Sequence, residues 1–249
     1  MNTINFIPSI CLGDPNLDTT YDIAKTFILN KVKTINFILP FSDPYSCFEY
    51  VIKTQKRALE NKVSIKDRIA IISKLTKEYD NCNFALTVCS NQILALGEHN
   101  FFSLIKEANV KALHIVDVPT SMLDSQISFK NLASDYQIKL ILDVPFSIDE
   151  CSFNEVKNLN CINLVTADIN DEHSLNVVIN FLTRLKDKNE NKIILKLQKM
   201  VSADIYQMLK ICVLDIVIET DILKLIDENY ADKNTLLNKI SLFCNKLNY

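Results

Sequence analysis

Residues that could do chemistry cluster around one run, Pro40-Phe41-Ser42-Asp43-Pro44, where two prolines bracket a hydroxyl and a carboxylate. Proline presets φ, and short Ser and Asp side chains bond to nearby backbone, so such a run builds a stiff loop tip of the kind that borders an active site. General acid–base work at that tip would need a carboxylate or an imidazole in reach. Its neighbours are Asn36, Cys47, Phe48 and Glu49, a poor set for the task. Metal chemistry has no firmer basis. The histidines 99, 114 and 173 are scattered, and the cysteines (11, 47, 82, 89, 151, 161, 212, 244) contain no Cys-x-x-Cys pair. A zinc site needs clustered ligands, so neither metal nor cofactor is expected. Thiols inside apolar runs, such as Cys11 and Cys212, are expected to be buried and reduced in a cytoplasmic protein.

Glycine is scarce. Only Gly13 and Gly97 occur in 249 residues, where ordinary usage of ~7% would give roughly 17. Loops that cradle phosphate depend on glycine for positive φ and close backbone approach, so no such loop is expected. The formal charge of −3 supplies no basic stripe for nucleic acid. No apolar run approaches the ~20 residues of a membrane span. The opening stretch MNTINFIPSI lacks a basic region followed by an apolar one, so no signal peptide is expected.

The elements that must carry the loop tip repeat along the whole chain. Apolar, β-branched runs at 5–11, 34–39, 83–89, 111–116, 138–143, 160–165, 192–197 and 214–218 read as strands. Between them lie helical patterns at 17–30, 47–61, 65–79, 98–108, 121–136, 148–157, 170–187, 202–211 and, in two pieces, 220–248. Near-continuous apolar strands alternating with amphipathic helices imply a parallel sheet covered by helices. Eight such units predict a closed (β/α)8 barrel, one domain over 1–249, with an open doubly wound sheet as the alternative. Chemistry on such a barrel sits on the loops that follow the strands. Five of the six prolines (15, 40, 44, 119 and 145) fall there. One rim is therefore expected to be stiff.

With these motifs in place the chain resembles the tryptophan synthase alpha subunit family. FIPSICLGDP (6–15) is similar to the family's FxPxxxxGDP, and LPFSDP (39–44) to its GxPFSDP. KRAL (56–59), the segment 100–119 ending in Asp-Val-Pro, and KLIDEN (224–229) also follow the family pattern. The first strand is read from about residue 5, so the family's initial helix is expected to be missing.

The resemblance implies cleavage of indole-3-glycerol phosphate to indole and glyceraldehyde 3-phosphate, and a beta subunit partner in an α2β2 complex. It also implies where the working residues should stand. The family's catalytic glutamate falls on Asn36, and its second carboxylate on Cys47. Its phosphate-binding GFG turn falls on Gln198-Lys199-Met200, and its GS pair on Glu219-Thr220, followed by Asp221. Its glycine-containing loop after the sixth strand is missing from 164–175. Retained are positions by which the family meets the beta subunit: Pro40, Asp43, Pro44, Asn91 and Pro119. The first expectation is therefore a non-catalytic alpha subunit that activates its beta partner, with no nucleic acid or membrane involved. A working lyase with Glu49 or Asp117 as substitute acids is the second. The third is a repurposed barrel in which Asp14, Asp43 and Asp117 are only loop caps.

Overall fold

The computed structural model describes residues 4–43, 48–118, 127–157, 161–188 and 192–247. Its strands are β1 (Asn5–Cys11), β2 (Thr34–Ile38), β3 (Asn83–Val88), β4 (Ala112–Ile115), β5 (Lys139–Asp143), β6 (Cys161–Ala167), β7 (Lys192–Leu197) and β8 (Asp215–Ile218). They pair in chain order, every pair parallel, and β8 returns to β1 to close the barrel. The helices are α1 (Leu17–Leu29), α2 (Glu49–Glu60), α3 (Ile65–Glu78), α4 (Ser90–Leu96), α5 (Glu98–Glu107), α6 (Ile127–Asp135), α7 (Glu150–Lys157), α8 (Glu172–Lys188), α9 (Ala203–Leu209), α10 (Thr220–Asn229) and α11 (Lys233–Leu247). The chain is a (β/α)8 barrel.

Two apolar layers hold it together, as the period-2 alternation of strand side chains requires. Outward residues such as Phe37, Leu86, Leu113, Leu195 and Ile216 pack against the helices in one continuous core. Inward residues form a separate band, to which β5, β7 and β8 contribute Ile141, Ile194 and Val217. On these three strands the inward face reads charge, apolar, charge: Lys139-Ile141-Asp143, Lys192-Ile194-Lys196 and Asp215-Val217-Glu219. The barrel's middle is therefore apolar and both ends are charged.

The strand bounds lie within two residues of those read from sequence. The difference is α4, where the sequence predicts a loop over 90–97. It is under two turns, too short to show a helical period. Its start is built by Gln92, whose Oε1 takes the Cys89 N–H at 3.0 Å, and by Asp117, which accepts from Ser90 N at 2.7 Å. Its end is Gly97, at φ +85. Six of the seven described cysteines are buried and Cys151 is exposed. Burial pushes the Cys82 and Cys89 thiols up to about 12.

The shortage of glycine shows at the helix ends. After α1, α5 and α6 the chain turns through a left-handed residue, closing the paired bonds of a Schellman cap: Val32 N to Phe27 O, Val110 N to Ile105 O and Ile138 N to Ala133 O. Glycine is the usual occupant, but here it is Lys31 (φ 67), Asn109 (φ 60) and Gln137 (φ 57). A side chain in that region costs ~1–2 kcal/mol, least for Asn. Part of that is returned to glycine's greater unfolded freedom. Lys31→Gly and Gln137→Gly should each stabilise the chain by about 0.5–1 kcal/mol in urea denaturation, and Asn109→Gly by less.

Candidate functional site

The loop after β2 is clamped at its stem and free at its tip. Pro40 is buried, and its carbonyl accepts from Gln92 Nε2 at 2.9 Å; the next amide, Phe41 N–H, donates to Gln55 Oε1 at 2.9 Å. Gln92 and Gln55 are themselves buried on α4 and α2. Beyond this stem Ser42 and Asp43 are exposed. Asn91 lies exposed on α4, one residue before the glutamine that grips the loop. Asp117, after β4, binds Ser90 through both oxygens, at 2.7 Å each. The charges of Asp117 and Asp43 both reach Cys89, so the loops after β2, β3 and β4 form one side of the rim. Pro44, Cys47 and Pro119 lie outside the described residues.

Asn36 points into the barrel mouth and has spent its amide. Its Nδ2 donates to Ser9 Oγ at 3.0 Å, and its Oδ1 accepts from Thr87 Oγ1 at 3.1 Å. That bridge laces β1, β2 and β3 together. An amide so held neither gives nor takes a proton in catalysis. Glu49 stands on α2 and pairs with Lys53 at 2.6 Å, with its side chain 67% exposed. Asp117 is committed to Ser90. Neither substitute acid lines the cavities of the barrel mouth. Asp14 is not a loop cap: Asn16 caps α1, taking the Thr19 N–H at 2.8 Å. Asp14 is buried and gripped by Arg57 through Nε at 2.6 Å and Nη2 at 3.1 Å. Arg57 also reaches Asp227 at 2.7 Å, tying the loop after β1 to α2 and α10. Burial pushes the Asp14 carboxyl up to about 6 against the pull of Arg57.

On the opposite side of the rim, the positions that the resemblance matches to phosphate binding are bonded within the chain. The Met200 N–H donates to Asp221 Oδ2 at 3.0 Å. Burial raises the Asp221 pKa, with the Met200 N–H working against it. Gln198 N donates to Ala167 O at 3.1 Å. Glu219 is buried at the head of α10, where the helix dipole would otherwise favour an incoming anion. Thr220 follows it as the first residue of that helix. Lys199 turns to Asn170 and Asp168. The connection from β6 to α8 is only Asp168–Asp171, too short for an overhanging loop.

A family model described as tryptophan synthase alpha chain matches residues 1–248. The chain belongs to the tryptophan synthase alpha chain family. A curated alpha chain from Francisella tularensis is 24% identical over 247 residues, 97% of this chain and 91% of that one. One from Actinobacillus pleuropneumoniae is 26% identical over 245 residues, 96% and 90% of the two chains. The tryptophan synthase complex of Pyrococcus furiosus superposes with a TM-score of 0.82 at 18% identity, covering 97% of this chain and 98% of its counterpart. The alpha chain of Legionella pneumophila gives 0.84 at 15% identity, covering 98% and 90%.

Within the tryptophan synthase alpha fold, a polar cluster stands in the barrel mouth of which only Glu219 was marked out by the sequence. His114 Nε2 lies 2.8 Å from Asp143 Oδ2, and Lys196 Nζ lies 2.8 Å from Glu219 Oε2. With Phe48 and Thr166 they line a cavity of about 220 Å³. Burial opposes the charge on Asp143, but His114 and Lys196 outweigh it and hold the carboxyl below its usual range. The signal was present as alternation: Lys196 and Glu219 each stand two residues beyond an inward apolar residue, Ile194 and Val217.

Proposed function

We propose that this chain is a non-catalytic alpha subunit that docks on a tryptophan synthase beta subunit and raises its activity, in a cytoplasmic α2β2 complex. One observation carries the reading. Groups at the positions matched to the lyase site are bonded within the chain, Asn36 to Ser9 and Thr87 and the Met200 N–H to Asp221. The Asp43 tip, by contrast, is exposed beyond a stem gripped by Gln92 and Gln55. The Pyrococcus furiosus relative, described for mutual activation in an α2β2 complex, supports the choice of partner.

The decisive experiment pairs two assays on the full chain. Added to a beta subunit, it should accelerate tryptophan formation from indole and serine. Alone or in the complex, it should not release indole from indole-3-glycerol phosphate above the uncatalysed rate, because each lost acid–base group is worth ~10²–10⁴ in rate. The competing reading is a working lyase, and the His114–Asp143 pair in the mouth is the observation in its favour. Turnover abolished by His114→Ala would establish it and refute the non-catalytic reading.

A further inference from the structure

A (β/α)8 barrel is ordinarily a packed core filled by layers of branched side chains. This one has a void of about 240 Å³ at its centre. Two neighbouring strands contribute only alanine to the inward band, Ala85 on β3 and Ala112 on β4. The remaining wall is aliphatic and incompletely covered: Ile141, Ile162 and Val217 each keep 8% exposure. Leu113, Leu195 and Ile216, on the outer faces of the same barrel, keep 0%. An aliphatic wall of this kind offers water no hydrogen bonds along the middle of the void and favours an apolar guest there.

The two ends of the void differ. Towards the mouth it is roofed by Asn36, Thr87, His114, Lys196 and Glu219, already bonded to one another or to Ser9 and Asp143. Towards the N-terminal ends of the strands it reaches exposed residues: Asn83, Lys111, Lys139 and Lys192. Lys192 shares its charge with Asp215 at 3.1 Å, and Lys111 touches Asn109. Among the described residues Lys139 has no carboxylate partner. The collar is thus net positive around an aliphatic shaft, on the face away from the loops that carry the family's chemistry.

We propose that this shaft is a binding site for a medium-chain aliphatic carboxylate, with its tail in the barrel and its head on the lysine collar. Size sets the chain length. A void of ~150 Å³ holds benzene, so 240 Å³ takes about ten non-hydrogen atoms. Charge sets the head group, since the collar offers ammonium donors and the aliphatic middle of the wall offers no polar partner.

Calorimetry of the full chain with octanoate tests it. Saturable one-to-one binding is expected, weakening about fourfold per methylene removed, so hexanoate should bind roughly 15-fold more weakly. Octan-1-ol, which lacks the charge, should bind at least about tenfold more weakly. Ala112→Leu should fill the void and abolish octanoate binding. Lys139→Ala lies on the surface, leaves the fold intact, and should weaken octanoate about tenfold without changing octanol. No saturable octanoate binding, or octanoate binding equal to octanol, would overturn the proposal. So would Lys139→Ala binding octanoate as the parent does. None of these results bears on the beta-subunit reading, which concerns the other end of the barrel.

Discussion

Asp43→Ala is expected to remove most of the stimulation this chain gives to a beta subunit while leaving its fold intact. A partner raises activity only if it binds the active, closed form of its target more tightly than the open form. A charge-assisted hydrogen bond made in one state and not the other is worth ~1.5–3 kcal/mol, so its loss should cut the stimulation about tenfold or more. Asp43 can supply such a contact at little ordering cost, because Gln92 and Gln55 already hold the loop stem. The carboxylate itself is exposed, so thermal unfolding should shift by no more than the ~0.5 kcal/mol usual for surface changes. Asn91→Ala should weaken the complex more than it alters the activation. Substitution of Asn36 or Cys47 should change neither. If Asp43→Ala stimulates the beta reaction as well as the parent chain, the loop is a rigid turn and nothing more.

Gly13→Ala is expected to be the most damaging single-methyl change in the chain, at about 3 kcal/mol or more. Gly13 sits at φ +93, where a side chain alone costs ~1–2 kcal/mol. An added Cβ would also stand 2.1 Å from Nη1 of Arg68. That guanidinium is buried, 2% exposed, and donates to the carbonyls of Leu12 and Ala58. Displacing it strands buried polar groups at ~1–3 kcal/mol each. For a chain of this size, 3 kcal/mol lowers Tm by roughly 6–12 °C. A double-mutant cycle separates the two causes. Arg68→Met removes the obstruction, so adding Gly13→Ala to it should cost only the backbone part, about 1–2 kcal/mol. Full additivity would show that Arg68 is not what the methyl group meets. The same contact explains why a chain with so little glycine keeps this one.

How much of this was legible in the residues differs between local and distant features. The eight strands could be read from their own apolar, β-branched runs, since a strand buried on both faces announces itself within five to seven residues. The fixed φ of Pro40 was equally local, because proline sets φ wherever it stands. So was the lack of a glycine-rich loop, since the only glycines are Gly13 and Gly97. The α4 helix was not legible. Its cap comes partly from Asp117, 27 residues away, and only barrel closure brings that carboxylate to Ser90. The fate of Asn36 was half legible: its type excluded proton transfer, but its bonds to Ser9 and Thr87 span 27 and 51 positions. Likewise the charge–apolar–charge rhythm of β5, β7 and β8 was written in the sequence, yet nothing local says which face turns inward. Closure of the sheet decides that face, sets His114 against Asp143 and Lys196 against Glu219, and leaves the space between Ala85, Ala112 and their neighbours unfilled. Strand propensity acts over a few bonds, whereas pairing across a barrel depends on register, and register is a property of all eight strands at once.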